Sequence, residues 1–182
     1  MTQQLRCLGT GVLWFEHEDA RPRPPEHWRA SVLASVTVHD LPPTAGYLAG
    51  EHVRLRDELG LLESVDDVRA EQQQEVRAWR QLLVERGWLA EDAAAAAAAD
   101  AADANAVVAA LHRCLAASPA VLLGVSLPDL TGDIRIQNQP GTHREYPNRC
   151  QPLADSAGQP VWLEDVTDQP LWADITAAVR DR

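Results

Sequence analysis

Apolar residues fall in short runs between polar, turn-forming stretches, and the runs switch between two periods. Leu33 to Val38 is rich in β-branched residues, as a strand buried on both faces should be. It ends on His39 and Asp40. Leu41-Pro42-Pro43 then blocks continuation, because proline has no N–H to give a ladder. Thr44 is placed to cap a short helix starting near Ala45. Gly11 to Phe15 and Ala120 to Leu127 are the other strand candidates, the second stopping at Pro128-Asp129. Glu16 to Glu26, charged and proline-rich, reads as a surface loop, and His27 to Ser31 as one helical turn.

Helical spacing dominates the middle of the chain. Gly50 and Gly60 break the residues after Gly46 into short helical pieces. Ser64, with Asp67 three residues on, predicts a capped helix start. Val65, Val68, Val76, Trp79, Leu82 and Leu83 then recur on one face up to Gly87, which serves as the C-cap. The polar run Glu71 to Glu75 falls on the solvated face. Glu91 to Asp103 is alanine-rich, with high helix propensity and little apolar area, and reads as an exposed connector. Val107, Val108, Leu111, Cys114 and Leu115 make the next stripe, ending at Ser118-Pro119, which marks Cys114 as a core thiol. Residues 131–160 show little periodicity, and a loop that long in a compact domain is usually functional or disordered. Trp172 to Arg180 closes the chain as a helix. Helix, turn, apolar strand and polar tip form the α-to-β step of a parallel α/β fold. Three such strands are too few to close a parallel barrel, which takes eight.

The chain has 182 residues, room for one domain with a sizeable core. Its net charge is −11, it has no lysine, and its arginines are scattered, so no nucleic-acid surface is expected. No apolar run reaches the length of a signal peptide or membrane span. Cys7, Cys114 and Cys150 are odd in number and lack metal spacing, which predicts reduced thiols and a cytoplasmic protein. His17, His27, His52, His112 and His143 have no metal spacing either, and Gly9-Thr10-Gly11 lacks the rest of a phosphate loop, so neither a metal site nor a phosphate loop is read from them. Of the six tryptophans, Trp14 is expected in a strand, Trp79 on an apolar helix face, and Trp162 and Trp172 near the C-terminal core. Trp28 and Trp88 are less constrained, and none is assigned to a ligand.

A polar pair at the tip of a parallel strand is where barrel enzymes put their chemistry, although a strand-end aspartate is often only a turn or cap. Three stretches sharpen the choice. SVTVHDLPPTAGYLAGEHVRLR resembles the segment that carries the third catalytic carboxylate of the 4-α-glucanotransferases, glycoside hydrolase family 77. IQNQPGTHREYPN, from Ile136 to Asn148, resembles that family's Asn-x-Pro-Gly-Thr loop. GTGVLWFEHE, from Gly9 to Glu18, resembles the strand that follows its acid/base glutamate. The matches lie in family order and span nearly the whole chain.

The resemblance implies an α/β chain, residues 1–182, forming the C-terminal part of a (β/α)8 barrel: about its last three strands, a helical insertion at 51–104 and the long loop at 131–160. It implies transfer of a segment of an α-1,4-glucan or maltooligosaccharide to a new 4-hydroxyl by a retaining double displacement. No cofactor is implied, and the upstream part of the barrel becomes the expected protein partner. Retaining cleavage needs a nucleophile and an acid/base carboxylate around a cation-like transition state. By resemblance Asp40 is the third group, the catalytic transition-state stabiliser that grips hydroxyls of the distorted ring. His39 and Asn138 are then substrate-binding. An amide suits hydroxyls because it both donates and accepts, and Gly141 allows a tight turn beside the ligand. The positions matching the other two carboxylates lie upstream of Met1, so the chain alone is expected to be inactive. Glu16 is expected to order a loop rather than to act in catalysis.

The sequence departs from the family at Pro43, at Gln139, and most clearly at Pro147-Asn148-Arg149-Cys150, where the family usually reads Pro-Asn-Trp-Arg. Losing an aromatic and a bidentate donor is expected to weaken the packing of this loop. The competing function is a non-enzymatic remnant that binds sugar or protein, helped by unpaired strand edges. A helical interaction module on Ser64 to Ser118 is a third reading.

Overall fold

Three parallel strands frame the molecule, for which the computed structural model describes residues 7–91 and 101–180. The elements are β1 (Gly9–Val12), β2 (His17–Glu18), β3 (Arg21–Pro22), β4 (Val32–Ser35), α1 (Thr44–Leu48), α2 (Glu51–Glu58), α3 (Val65–Glu85), α4 (Ala101–Ala116), β5 (Leu122–Gly124), α5 (Leu127–Thr131) and α6 (Pro170–Arg180). The sheet order is β1-β4-β5, with Thr10, Leu33 and Leu122 in one row and Gly11, Ala34 and Leu123 in the next.

Side chains on a strand alternate between faces, so the two rows look opposite ways. Val32 and Ala34 pack into the main core with Trp79, Leu83, Leu111 and Leu115. Thr10 is exposed, and Leu33 and Leu122 are 40% and 50% exposed. The central strand was expected to be buried on both faces. It is buried on one, because the helices that cover the sheet lie on one side. It also stops at Ser35 rather than Val38: the Thr37 hydroxyl donates to the Pro42 carbonyl at 2.8 Å, and the Leu41 N–H donates to the Val38 carbonyl, curling the chain before the prolines. β5 is likewise shorter than Ala120 to Leu127. Ser126 accepts the Asp129 N–H and Pro128 sits in the first turn, so Leu127 opens a helix instead of ending a strand.

The link from β1 to β4 contains no α-helix. A 3-10 turn at Leu13–Phe15 leads into the antiparallel pair β2–β3, and a second at Pro25–His27 precedes β4. Asp19 and Ala20 take φ of 50° and 59°, the left-handed geometry of a two-residue hairpin turn. This hairpin stands where a plain loop was expected. Trp14 sits in the 3-10 turn rather than in a strand and is buried. Trp28 is also buried, with its indole N–H on the Arg23 carbonyl at 2.9 Å.

Ser64 caps α3 through the Asp67 N–H, and Gly87 follows the helix at φ 71°. The polar run Glu71 to Glu75 is divided rather than wholly solvated. Gln72 is buried and donates to the Tyr47 carbonyl at 2.8 Å, while Glu75 accepts the Tyr47 hydroxyl. The α4 stripe is buried as its spacing demands, and burial pushes the Cys114 thiol up to about 12. Of the alanine-rich connector, residues 92–100 lie outside the described residues, and α4 is already under way at Ala101. α6 packs on α4 through Leu171 and Ile175, starting earlier than Trp172, whereas Trp162 is 73% exposed instead of near the core. Among the described residues no helix is long and apolar enough to cross a membrane.

Candidate functional site

His39 and Asp40 occupy the turn after β4, and Asn138 lies in the segment after β5 and α5. Both segments leave the C-terminal ends of neighbouring parallel strands, where α/β folds open a crevice. The structure brings all three residues together. Asn138 Nδ2 donates to Asp40 Oδ1 at 2.8 Å, and His39 Nε2 lies 3.3 Å from the same oxygen. A fourth group, missed in the sequence, completes the set: Arg149 Nη2 donates to Asp40 Oδ1 at 3.5 Å. Two donors, Asn138 and Arg149, thus converge on one oxygen of the carboxylate, with the His39 ring beside it. Oδ2 makes no hydrogen bond among the described residues, and the Asp40 side chain is 49% exposed. The arrangement ties the carboxylate through Oδ1 and leaves Oδ2 able to accept.

Both loops are held from behind. Thr44 was expected to cap α1, but the helix has no side-chain cap. Its hydroxyl and N–H instead donate to the two oxygens of Asp129, at 2.9 and 2.8 Å. Asp129 is buried, as is His112, whose Nε2 lies 3.8 Å from Asp129 and whose Nδ1 bonds the Val108 carbonyl. A buried carboxylate outcompetes solvent for the Thr44 hydroxyl, and it ties the end of the His39–Asp40 turn to α5. Asp133 holds the other loop by accepting from Arg135 and from the Ala154 N–H. Gly46 lets the two approach: a Cβ there would meet the Ile134 carbonyl oxygen at 2.3 Å.

The loop around Asn138 is tied together despite its departure at Arg149-Cys150. Asn148 Oδ1 accepts the Gln139 N–H at 2.7 Å, and its Nδ2 donates to Thr142 Oγ1 at 2.8 Å. Tyr146 donates to the Ile136 carbonyl, which also accepts from Gln151. Glu16 pairs with Arg23 at 3.7 Å beside the hairpin, the loop-ordering part expected of it. The described residues hold no cluster of three or more His, Cys, Asp or Glu side chains fit for a metal. A cavity of about 620 Å³ lies elsewhere, lined by Ala45, Val53, Val76 and Ile134, with Arg54 and Arg69 each already in ion pairs.

Comparison with known proteins identifies the family. The sequence profile of the family described as 4-alpha-glucanotransferase, glycoside hydrolase family 77, matches residues 1–155. The chain belongs to the 4-alpha-glucanotransferase family. It is 46% identical over 179 residues to the 4-alpha-glucanotransferases of Mycobacterium tuberculosis and Mycobacterium bovis, covering 95% of this chain and 24% of each relative. Its fold superposes on the crystal structure of amylomaltase from Corynebacterium glutamicum with a TM-score of 0.86 at 37% identity, covering 94% of this chain and 25% of that one. This family member therefore spans about a quarter of the length of the relatives it matches.

Proposed function

We propose that this chain forms one wall of the donor site of a 4-alpha-glucanotransferase, which transfers part of an α-1,4-glucan to a new 4-hydroxyl. The observation that carries the reading is the convergence of Asn138 and Arg149 on Oδ1 of Asp40, with His39 beside it, which leaves Oδ2 to accept from ring hydroxyls. A carboxylate held by fixed donors needs little reorganisation when the sugar turns cation-like, and that lowers the barrier. Asp40 is the transition-state stabiliser, and His39 and Asn138 bind the same sugar. The nucleophile and the acid/base come from polypeptide that packs on the open row Thr10–Leu33–Leu122. That row becomes part of the interior of a (β/α)8 barrel, with 51–104 as a helical insertion and 131–160 as a site loop. Three free cysteines favour a cytoplasmic setting.

The test is a chimera in which this chain replaces the matching quarter of the Mycobacterium tuberculosis relative. Supplied with maltotriose, it should release glucose and longer oligosaccharides. Asp40→Asn should slow turnover by roughly 100-fold or more with folding unchanged. Near-normal turnover would remove Asp40 from the role.

The exposed Leu33 and Leu122 row also favours a second reading, in which the chain is a non-enzymatic binding piece that uses its open sheet. Concentration-dependent association on a sizing column, together with an inactive chimera, would support that reading over the first.

A further inference from the structure

Arg149 occupies the place where the family usually has tryptophan, and its backbone is unusual. It takes φ of 59°, a left-handed conformation that side chains other than glycine adopt at a cost. The turn is closed by the Cys150 N–H on the Pro147 carbonyl, and the Arg149 N–H donates to the Gln137 carbonyl at 2.7 Å. Gln137 is the neighbour of Asn138, so the same stretch that carries Asn138 also sets the direction of Arg149. The guanidinium reaches Asp40 through Nη2 alone, with the Arg149 side chain 65% exposed. The backbone bonds to Gln137 and Pro147 hold that conformation, and the exposed ion pair with Asp40 adds little to stability. A guanidinium carries five N–H donors in a planar fork, and Arg149 makes no other side-chain hydrogen bond among the described residues.

We propose that Arg149 is a further ligand-contacting residue of this site. Its guanidinium steadies Asp40 through Nη2 and offers its remaining N–H groups to adjacent hydroxyl oxygens of an α-1,4-glucan lying against Asp40 Oδ2. The inference rests on the sugar-site reading above and adds the residue that sets how tightly the ring is gripped. A planar fork presents parallel N–H donors in a fixed geometry, whereas an ammonium is a compact charge on a flexible stem.

The experiment titrates maltoheptaose into the 15N-labelled chain and into Arg149→Ala and Arg149→Lys, following the side-chain amide of Asn138 and the Nε–H of Arg149. In the unaltered chain both resonances should move together. Arg149→Ala should bind about tenfold more weakly, the equivalent of one or two hydrogen bonds. Arg149→Lys, which keeps the charge and loses the fork, should recover only part of the loss. Equal binding by Arg149→Ala and the unaltered chain overturns the role of Arg149 and leaves the sugar site standing. Full recovery by Arg149→Lys also overturns it, reducing the residue to a charge beside Asp40. If the unaltered chain shows no movement of the Asn138 amide, the sugar-site reading fails and the inference fails with it. Backbone spectra of both variants check folding, which an exposed position should preserve.

Discussion

The Asn138 amide donates to the Asp40 carboxylate at 2.8 Å across 98 residues of chain. That bond makes one unit of two loops that leave different strands. In the chimeric enzyme, Asn138→Ala should lower kcat/KM about tenfold, the worth of one hydrogen bond to a charged group. Asn138→Asp should be worse, because it sets two like charges in contact. If both variants turn over like the parent, the bond has no part in activity.

The Thr44–Asp129 link carries stability. Asp129→Ala leaves the buried Thr44 N–H and hydroxyl without partners, and should cost roughly 3 kcal/mol. Thr44→Val removes one of the two bonds, and should cost about 1.5 kcal/mol. Urea midpoints at constant m-value measure both. Changes below about 0.5 kcal/mol would mean that solvent or other groups take over.

His52 stacks on Tyr47 with ring centroids 4.7 Å apart, and burial, reinforced by nearby Arg56, lowers its pKa from 6.5 to about 4. Between these values the unfolded chain binds the proton and the folded chain does not. The folded state is therefore fully favoured above pH 6.5 and loses stability as pH falls toward 4. The loss from this group at pH 5 is up to about 2 kcal/mol. A His52→Gln variant should lose correspondingly less than the parent between pH 7 and pH 5. Parallel losses would show that His52 titrates normally in the fold.

Thiol chemistry should separate the cysteines. Cys7 and Cys150 are exposed, whereas Cys114 is buried and its thiolate is disfavoured by desolvation. Iodoacetamide at pH 8 should label Cys7 and Cys150 in the native chain and reach Cys114 only in denaturant, read by peptide mass spectrometry. Early labelling of Cys114 would mean that the α4 stripe opens readily.

A polypeptide of these 182 residues, assayed alone with maltotriose, should form neither glucose nor longer oligosaccharides. Its three-stranded sheet has one uncovered face, and the proposed site offers Asp40 as its carboxylate. Product above a blank would mean that other acidic groups supply the nucleophile and acid/base.

The His39–Asp40 turn was legible because prolines end strands and because three motifs fall in family order. Its partner Asn138 was legible from the resemblance alone. Arg149 was not, since no spacing rule joins residues 149 and 40; the signal was the departure at Pro147 to Cys150, read as a loss rather than a replacement. The Thr44 cap failed because a buried acid, distant in sequence, competes for the same hydroxyl. Gln72 interrupts the solvated run from Glu71 to Glu75 because its partner, the Tyr47 carbonyl, arrives only with the tertiary fold. The hairpin at Asp19-Ala20 was not legible because alanine follows Asp19 where the usual left-handed turn pair has glycine.

Gly46 gives this architecture a point of failure that no ligand touches. One added methyl would push α1 off the Ile134 backbone, and the displaced loop carries Asn138 and Arg149 four and fifteen positions further along. In a saturation mutagenesis screen position 46 should score as intolerant as Asp40 itself, and a map of such scores would mistake a spacer for a reagent.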